Sequence, residues 1–135
     1  SAGIKARSIE VNGVVVMAGE VGEERARDPQ DLERPLVIRQ RAGDVDGMTA
    51  LSESYAVLDC GDGQLRHGRG AIRAYFAEQV AAGKKFAFGE QRSAIVGGKL
   101  ALTSTRLPDG SVTAEVARRQ DDGTWLWVID KFSVD

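Results

Sequence analysis

Three carboxylates lie on stretches that otherwise read as apolar strands, and a carboxylate in an apolar setting is the raw material of proton transfer. Asp59 ends the run Tyr55-Ala56-Val57-Leu58-Asp59. A charge where a core should form is paired, close to water, or functional. Glu115 falls within 111–120, where period-two alternation puts Thr113, Glu115 and Ala117 on one face and Val112, Ala114, Val116 and Arg118 on the other. Asp130 shares a strand face with Leu126, Val128 and Phe132, and Trp125, Trp127 and Ile129 take the opposite face. Each acid also has a plainer reading. An Asp beside a Gly-rich turn often only caps it. Glu115 can pair across strands with Arg106 or Arg92. The faces of the last strand can be exchanged, which puts both tryptophans in the core.

The remaining reactive side chains are few. His67 is the single histidine and could shuttle a proton, but at a strand-to-helix junction a histidine more often caps or packs. Cys60, the single cysteine, reads as a small packing residue, since no second histidine is free to activate it. One cysteine and one histidine exclude an internal disulfide, a cysteine-cluster metal site and a multi-histidine zinc site. Asp121 and Asp122 are turn residues, and no metal or cofactor is expected.

The elements that must position these groups can be placed from local chemistry. Asn12-Gly13 between two apolar runs signals a hairpin, so 1–27 reads as an N-terminal β-hairpin arm, or as a partly ordered tail, ahead of a domain over 28–135. Asp28-Pro29 starts a first helix, which Pro35 kinks or restarts. Gly43-Asp44 ends it and caps a second helix from Val45 to about Ser54. Tyr55 to Asp59 is a strand, Gly61-Asp62-Gly63 reverses the chain, and 64–67 pairs back. Ile72, Phe76 and Val80 recur every four residues in a third helix over about 69–82. Four long strands follow over 86–96, 100–107, 111–120 and 124–134, joined by Gly97-Gly98, Pro108-Asp109-Gly110 and Asp121-Asp122-Gly123. Antiparallel hairpins closing on earlier helices make an α+β layer, and a strongly curved sheet leaves a pocket under the helices.

Composition sets the outer bounds. The 135 residues fit one domain. Eighteen Lys and Arg against 20 Asp and Glu give a net charge of -2, with no basic stripe, which argues against nucleic acid as a partner. The longest apolar run, Val14-Val15-Val16-Met17-Ala18, is far too short to span a bilayer. No signal peptide is visible, so a cytoplasmic protein is the default expectation.

This order of elements resembles the nuclear transport factor 2-like superfamily, which includes SnoaL-like polyketide cyclases and ketosteroid isomerases. The resemblance spans about 29–134 and rests on Ala42-Gly43-Asp44-Val45-Asp46, Tyr55-Ala56-Val57-Leu58-Asp59, His67-Gly68-Arg69-Gly70-Ala71-Ile72 and the last hairpin, Arg118-Arg119-Gln120-Asp121-Asp122-Gly123-Thr124-Trp125. It implies a cone-shaped α+β fold: a curved antiparallel sheet packed on three helices. By its alignment Asp59 matches the isomerase general base and Glu115 the acid that donates to the substrate oxygen, with Asp130 facing into the cone. Arg106 is the best counter-charge for three acids that would otherwise repel one another. Phe76, Phe86, Phe88, Val128 and Phe132 can line an apolar wall, and Tyr55 could offer a hydroxyl. The isomerases also carry a tyrosine on the first helix, where this chain has Leu36-Val37-Ile38 and no hydroxyl. The expected ligand is small and apolar with one or two oxygens. The reaction class implied is cofactor-independent isomerisation, cyclisation or hydration, and the alternative is a non-catalytic binding or assembly module. With Trp125 and Trp127 outward, a homodimer through the outer sheet face is expected.

Overall fold

The computed structural model describes residues 8–11, 14–17 and 24–134. Strands β1 (Ser8–Val11) and β2 (Val14–Met17) pair antiparallel in a two-stranded sheet of their own. The expected turn at Asn12-Gly13, the rest of the expected arm up to residue 23, and Asp135 lie outside the described residues.

Pro29–Leu32 forms a 3-10 turn that runs into helix α1 (Glu33–Arg41). Pro35 is the third residue of α1, where the backbone N–H has no helical partner to lose, so the helix restarts rather than breaks. Gly43 at φ 74° closes α1, and the Asp44 carboxylate accepts from the Gly47 N–H at 2.9 Å to cap α2 (Val45–Thr49). Helix α2 is shorter than its sequence suggests. The Leu51 carbonyl accepts from the Trp127 N–H at 2.9 Å, which draws the chain into the sheet early, and β3 begins at Ser52 and ends at Asp59. After β4 (Leu65–His67), helix α3 (Gly68–Ala81) buries Ile72 and Phe76 against the sheet.

The strands that follow are β5 (Glu90–Gln91), β6 (Ile95–Gly97), β7 (Leu100–Thr103), β8 (Thr105–Arg106), β9 (Ala114–Arg119) and β10 (Trp125–Lys131). Six strands make one curved sheet in the order β4-β3-β10-β9-β7-β6. Its pairings are antiparallel except β3 with β10, which run parallel. The expected long strand over 86–96 is broken. Its first part spends its backbone groups on a helix: the Phe86 N–H donates to Gln40 Oε1 at 2.8 Å, and the Phe86 carbonyl accepts from Arg41 Nε at 3.0 Å. At Gly89 a Cβ would stand 2.6 Å from the Arg106 carbonyl oxygen, so the crossing beside β8 requires glycine.

The helices cover one face of the sheet. Leu32, Met48, Ala56, Leu58, Ile72, Phe76, Ala117, Trp125 and Trp127 form the core between the layers. Among the described residues no helix is long and apolar enough to cross a membrane.

Trp125 and Trp127 therefore correct the sequence reading. They are 5% and 4% exposed and belong to the core, not to an outer interface. A β-bulge is the reason. Trp127 pairs with Ala117 and Ile129 with Val116, so Val128 is an extra residue with no partner on β9. The bulge resets the alternation, and Asp130 returns to the same face as Trp127 while Ile129 turns outward.

Candidate functional site

A cavity of about 350 Å³ opens between α1, the 86–87 segment, the 105–113 turn and the inner face of β9 and β10. Leu36, Val37, Phe86, Leu107, Trp127 and Phe132 supply apolar wall, and Glu115, Asp130 and Glu33 supply carboxyls. Phe86 and Phe132 meet edge to face with centroids 6.4 Å apart. Gln40 and Arg41 fix the Phe86 backbone from both sides, and the buried Gln40 amide also donates to the Lys84 carbonyl.

The polar centre is one row across the sheet. Thr103, Glu115, Asp130 and Leu58 are successive cross-strand partners on β7, β9, β10 and β3. Glu115 is 7% exposed, and its Oε1 accepts from Thr103 Oγ1 at 2.8 Å. Burial pushes its carboxyl up, and hydrogen bonds from Thr113 and Thr103 pull in the opposite direction. Asp130 is 8% exposed and has no hydrogen-bond partner among the described residues. Burial pushes its carboxyl well above the usual range, and the neighbouring Glu115 and Glu33 push it further. Glu33 accepts from Gln91 Nε2 at 2.7 Å, from Thr105 Oγ1 at 3.0 Å and from the Gly89 N–H at 3.3 Å. The Trp127 indole N–H is buried and unpartnered among the described residues.

The other expected site residues lie elsewhere. On β3, Ala56 and Leu58 take the inner face, so Val57 and Asp59 take the outer one. Asp59 Oδ1 accepts from the Gly61 N–H and Oδ2 from Lys131 Nζ, both at 2.9 Å. The Lys131 hydrogen bond, then the Gly61 N–H, holds the Asp59 carboxyl below its usual range, the opposite of what a base near neutrality needs. Asp59 thus caps its turn and does not line the cavity. Tyr55 is 92% exposed. Phe76 is in the core, Phe88 stacks under the Arg41 guanidinium at 5.1 Å, and Val128 occupies the bulge; none of the three reaches the cavity wall. Arg106 is exposed on β8 and makes no ion pair among the described residues, so it does not neutralise Glu115. No basic side chain lines the cavity among the described residues. Arg66, on the same inner row, is held by Asp62 at 2.6 Å and lies over the Tyr75 ring. No described cluster of His, Cys, Asp or Glu is arranged to hold a metal ion.

Glu33 and Thr103 carry no local signal in the sequence, since each acts through a partner far along the chain. Gln40 carries none either: it lies between Arg39 and Arg41 in the sequence, and only the fold buries it to 1% exposure, where it must find buried partners.

No protein-family model matches the chain, and no curated protein matches it. Solved structures do. A protein from Thiobacillus denitrificans, provisionally named a calcium/calmodulin-dependent protein kinase type II association domain, superposes with a TM-score of 0.68 at 17% identity, over 81% of this chain and 96% of that one. An NTF2-like protein with a cystatin-like fold from Novosphingobium aromaticivorans gives 0.56 at 19% identity, over 75% of each chain. A protein from Streptomyces avermitilis, provisionally named a dehydratase of the NTF2-like family, gives 0.60 at 16%, over 73% of this chain and 88% of that one. The chain has the nuclear transport factor 2-like, cystatin-like α+β fold.

Proposed function

We propose that the cavity binds a small, largely apolar oxygenated ligand and that Glu115 and Asp130 act on it as general base and general acid. The observation that carries this reading is the buried cross-strand pair of carboxyls, both raised, at the wall of an apolar cavity. Two such acids cannot both ionise cheaply, and environment decides which keeps the proton. Asp130 lies deeper and has no donor to stabilise its charge, so it holds the proton and presents it to a carbonyl or epoxide oxygen. Glu115 has hydroxyl donors that favour its ionised form, so it takes a proton from an adjacent carbon or from water. Isomerisation, cyclisation and hydration or dehydration all fit this exchange. The Streptomyces protein named as a dehydratase supports the reading by analogy of fold alone.

The test is a turnover screen with enones, epoxides and polyketide-like aromatics, run on the parent chain and on Asp130→Asn and Glu115→Gln. Each substitution is expected to lower turnover by about 100-fold or more. Turnover unchanged in both variants rules the pair out of the mechanism.

A second reading, self-association, has its own observation. Ile95, Leu102, Val116, Ile129 and Val57 are successive partners across the outer face, and Ile95, Ile129 and Leu102 are 68%, 49% and 47% exposed. A second copy of this chain packed on that row would cover it and form the expected homodimer with these residues in place of the tryptophans. Sedimentation of the parent chain should give a dimer and Ile129→Asp a monomer. A monomeric parent at high concentration removes this reading.

A further inference from the structure

We infer that the ligand of this cavity is an apolar molecule bearing one protonated amine, whose ammonium group settles among the carboxyls of Asp130, Glu115 and Glu33. The inference rests on the cavity being a ligand site, as proposed above, and is independent of whether catalysis occurs there.

Three features of the cavity lead to it. The first is charge balance. Three carboxyls line one small cavity, a fourth, Asp109, stands at its turn, and no Lys, Arg or His lines it among the described residues. Arg66, the basic residue on the same row of the sheet, is already committed to Asp62 and Tyr75. An anionic ligand would meet no basic side chain there among the described residues and would be repelled by whichever of these acids is ionised, in surroundings where burial strengthens the repulsion.

The second is unmet bonding. Asp130 is more than nine-tenths buried, forms part of the cavity wall and has no hydrogen-bond partner among the described residues. Native interiors rarely leave such a group without a partner. The Asp130 carboxyl meets the cavity rather than a partner among the described residues. A charged donor entering there would favour ionised Asp130, whose proton passes to solvent as the ammonium docks, and would offset the excess of acids. Glu115 receives only hydroxyl donors and has lone pairs to spare, while Glu33 is already held by three donors and adds field rather than contact.

The third is the wall. Phe86, Phe132 and Trp127 bring aromatic surface to the same space, which favours a cation near their faces and an apolar body against them. A cavity of about 350 Å³ has room for a bicyclic skeleton.

The experiment is calorimetric titration of the full chain with three probes of one skeleton: 1-naphthylmethylamine, 1-naphthalenemethanol and 1-naphthoate. The amine is expected to bind about tenfold tighter than the alcohol, the difference between a charge-assisted and a neutral hydrogen bond, and the carboxylate weakest. In the double variant Glu115→Gln, Asp130→Asn the amine and alcohol should bind within about twofold of each other. An alcohol or carboxylate that binds the parent chain as tightly as the amine overturns the inference and leaves the cavity standing as a ligand site. An amine preference that survives in the double variant also overturns it, because the preference then has another origin. If none of the three binds, the ligand-site reading falls, and this inference with it.

Discussion

Asp59 and Asp130 stand on neighbouring strands, one register step apart, and share almost nothing else. Asp130 pairs with Leu58 across β10 and β3, and the next pair is Lys131 with Asp59. One carboxyl faces the helices, is buried, lacks a partner and is pushed up; the other faces outward, holds a lysine and a turn N–H and is pulled down. Residue type is the same in both, so the face of the sheet decides the chemistry. A single β-bulge sets that face for Asp130, since without the extra residue at Val128 either the tryptophans or the acid would have to turn outward.

Deleting Val128 is the strongest way to break the contrast. The loss should be at least about 3–5 kcal/mol, the range for losing a large core side chain, because a one-residue slip moves either Trp127 or Asp130 across the sheet. Urea unfolding followed by tryptophan fluorescence measures it, and a variant as stable as the parent would mean that the bulge is dispensable.

Asp130→Asn comes next, with an effect that depends on pH. Between the ordinary carboxyl value of 3.8 and the raised folded value, the folded chain keeps a proton that the unfolded chain has lost. Stability of the parent therefore falls as pH rises through that window, by about 1.4 kcal/mol per pH unit for one group. The variant has no such slope at this site. It should match the parent near pH 3 and exceed it at pH 7 in paired denaturant titrations; a parent that gains on the variant as pH rises contradicts the placement of Asp130.

Thr103→Val is a smaller probe of the same row. It removes the donor to Glu115 and should cost about 1 kcal/mol. It should also move the Glu115 titration, followed by carbon-13 NMR, to still higher pH. Unmoved titration would show that the hydroxyl does not tune the acid. Asp59→Asn is the mildest. Its carboxyl is held low, so its support is present at neutral pH and is lost only as pH falls through that low value. The pair with Lys131 is open to solvent and screened by salt, and melting temperatures at neutral pH should barely separate the variant from the parent, less so in high salt.

What the chain discloses before folding divides along the same line. Turns and caps at Gly43-Asp44, Gly61-Asp62-Gly63 and Asp122-Gly123 are short-range chemistry, and they suffice for the order of elements and hence the architecture. The inward position of Glu115 also follows from simple alternation within β9. Alternation failed for Trp125, Trp127 and Val128 because nothing in Trp-Leu-Trp-Val-Ile-Asp marks a bulge; it arises from matching β10 to β9 and β3 together. For Asp59 the resemblance points into the cavity, but Ala56 and Leu58 take the core face of β3, which leaves Asp59 the turn-capping alternative. Arg106, Phe88 and Tyr55 were misplaced because a charge or an aromatic ring does not reveal which surface it meets. Glu33 reaches the site through Gly89, Gln91 and Thr105, contacts that span more than 50 residues of chain.

The double grip on Phe86 carries a mechanical consequence. With its N–H held by Gln40 and its carbonyl by Arg41, this ring is yoked to the last turn of the first helix. A small roll of that helix would carry the phenyl group with it, whereas the turn bearing Leu107, Pro108 and Asp109 is closed by its own bonds, from the Leu107 N–H to the Ser111 carbonyl and from Ser111 to the Asp109 carboxylate. One wall of the cavity is thus coupled to the first helix, and the facing wall to its own turn.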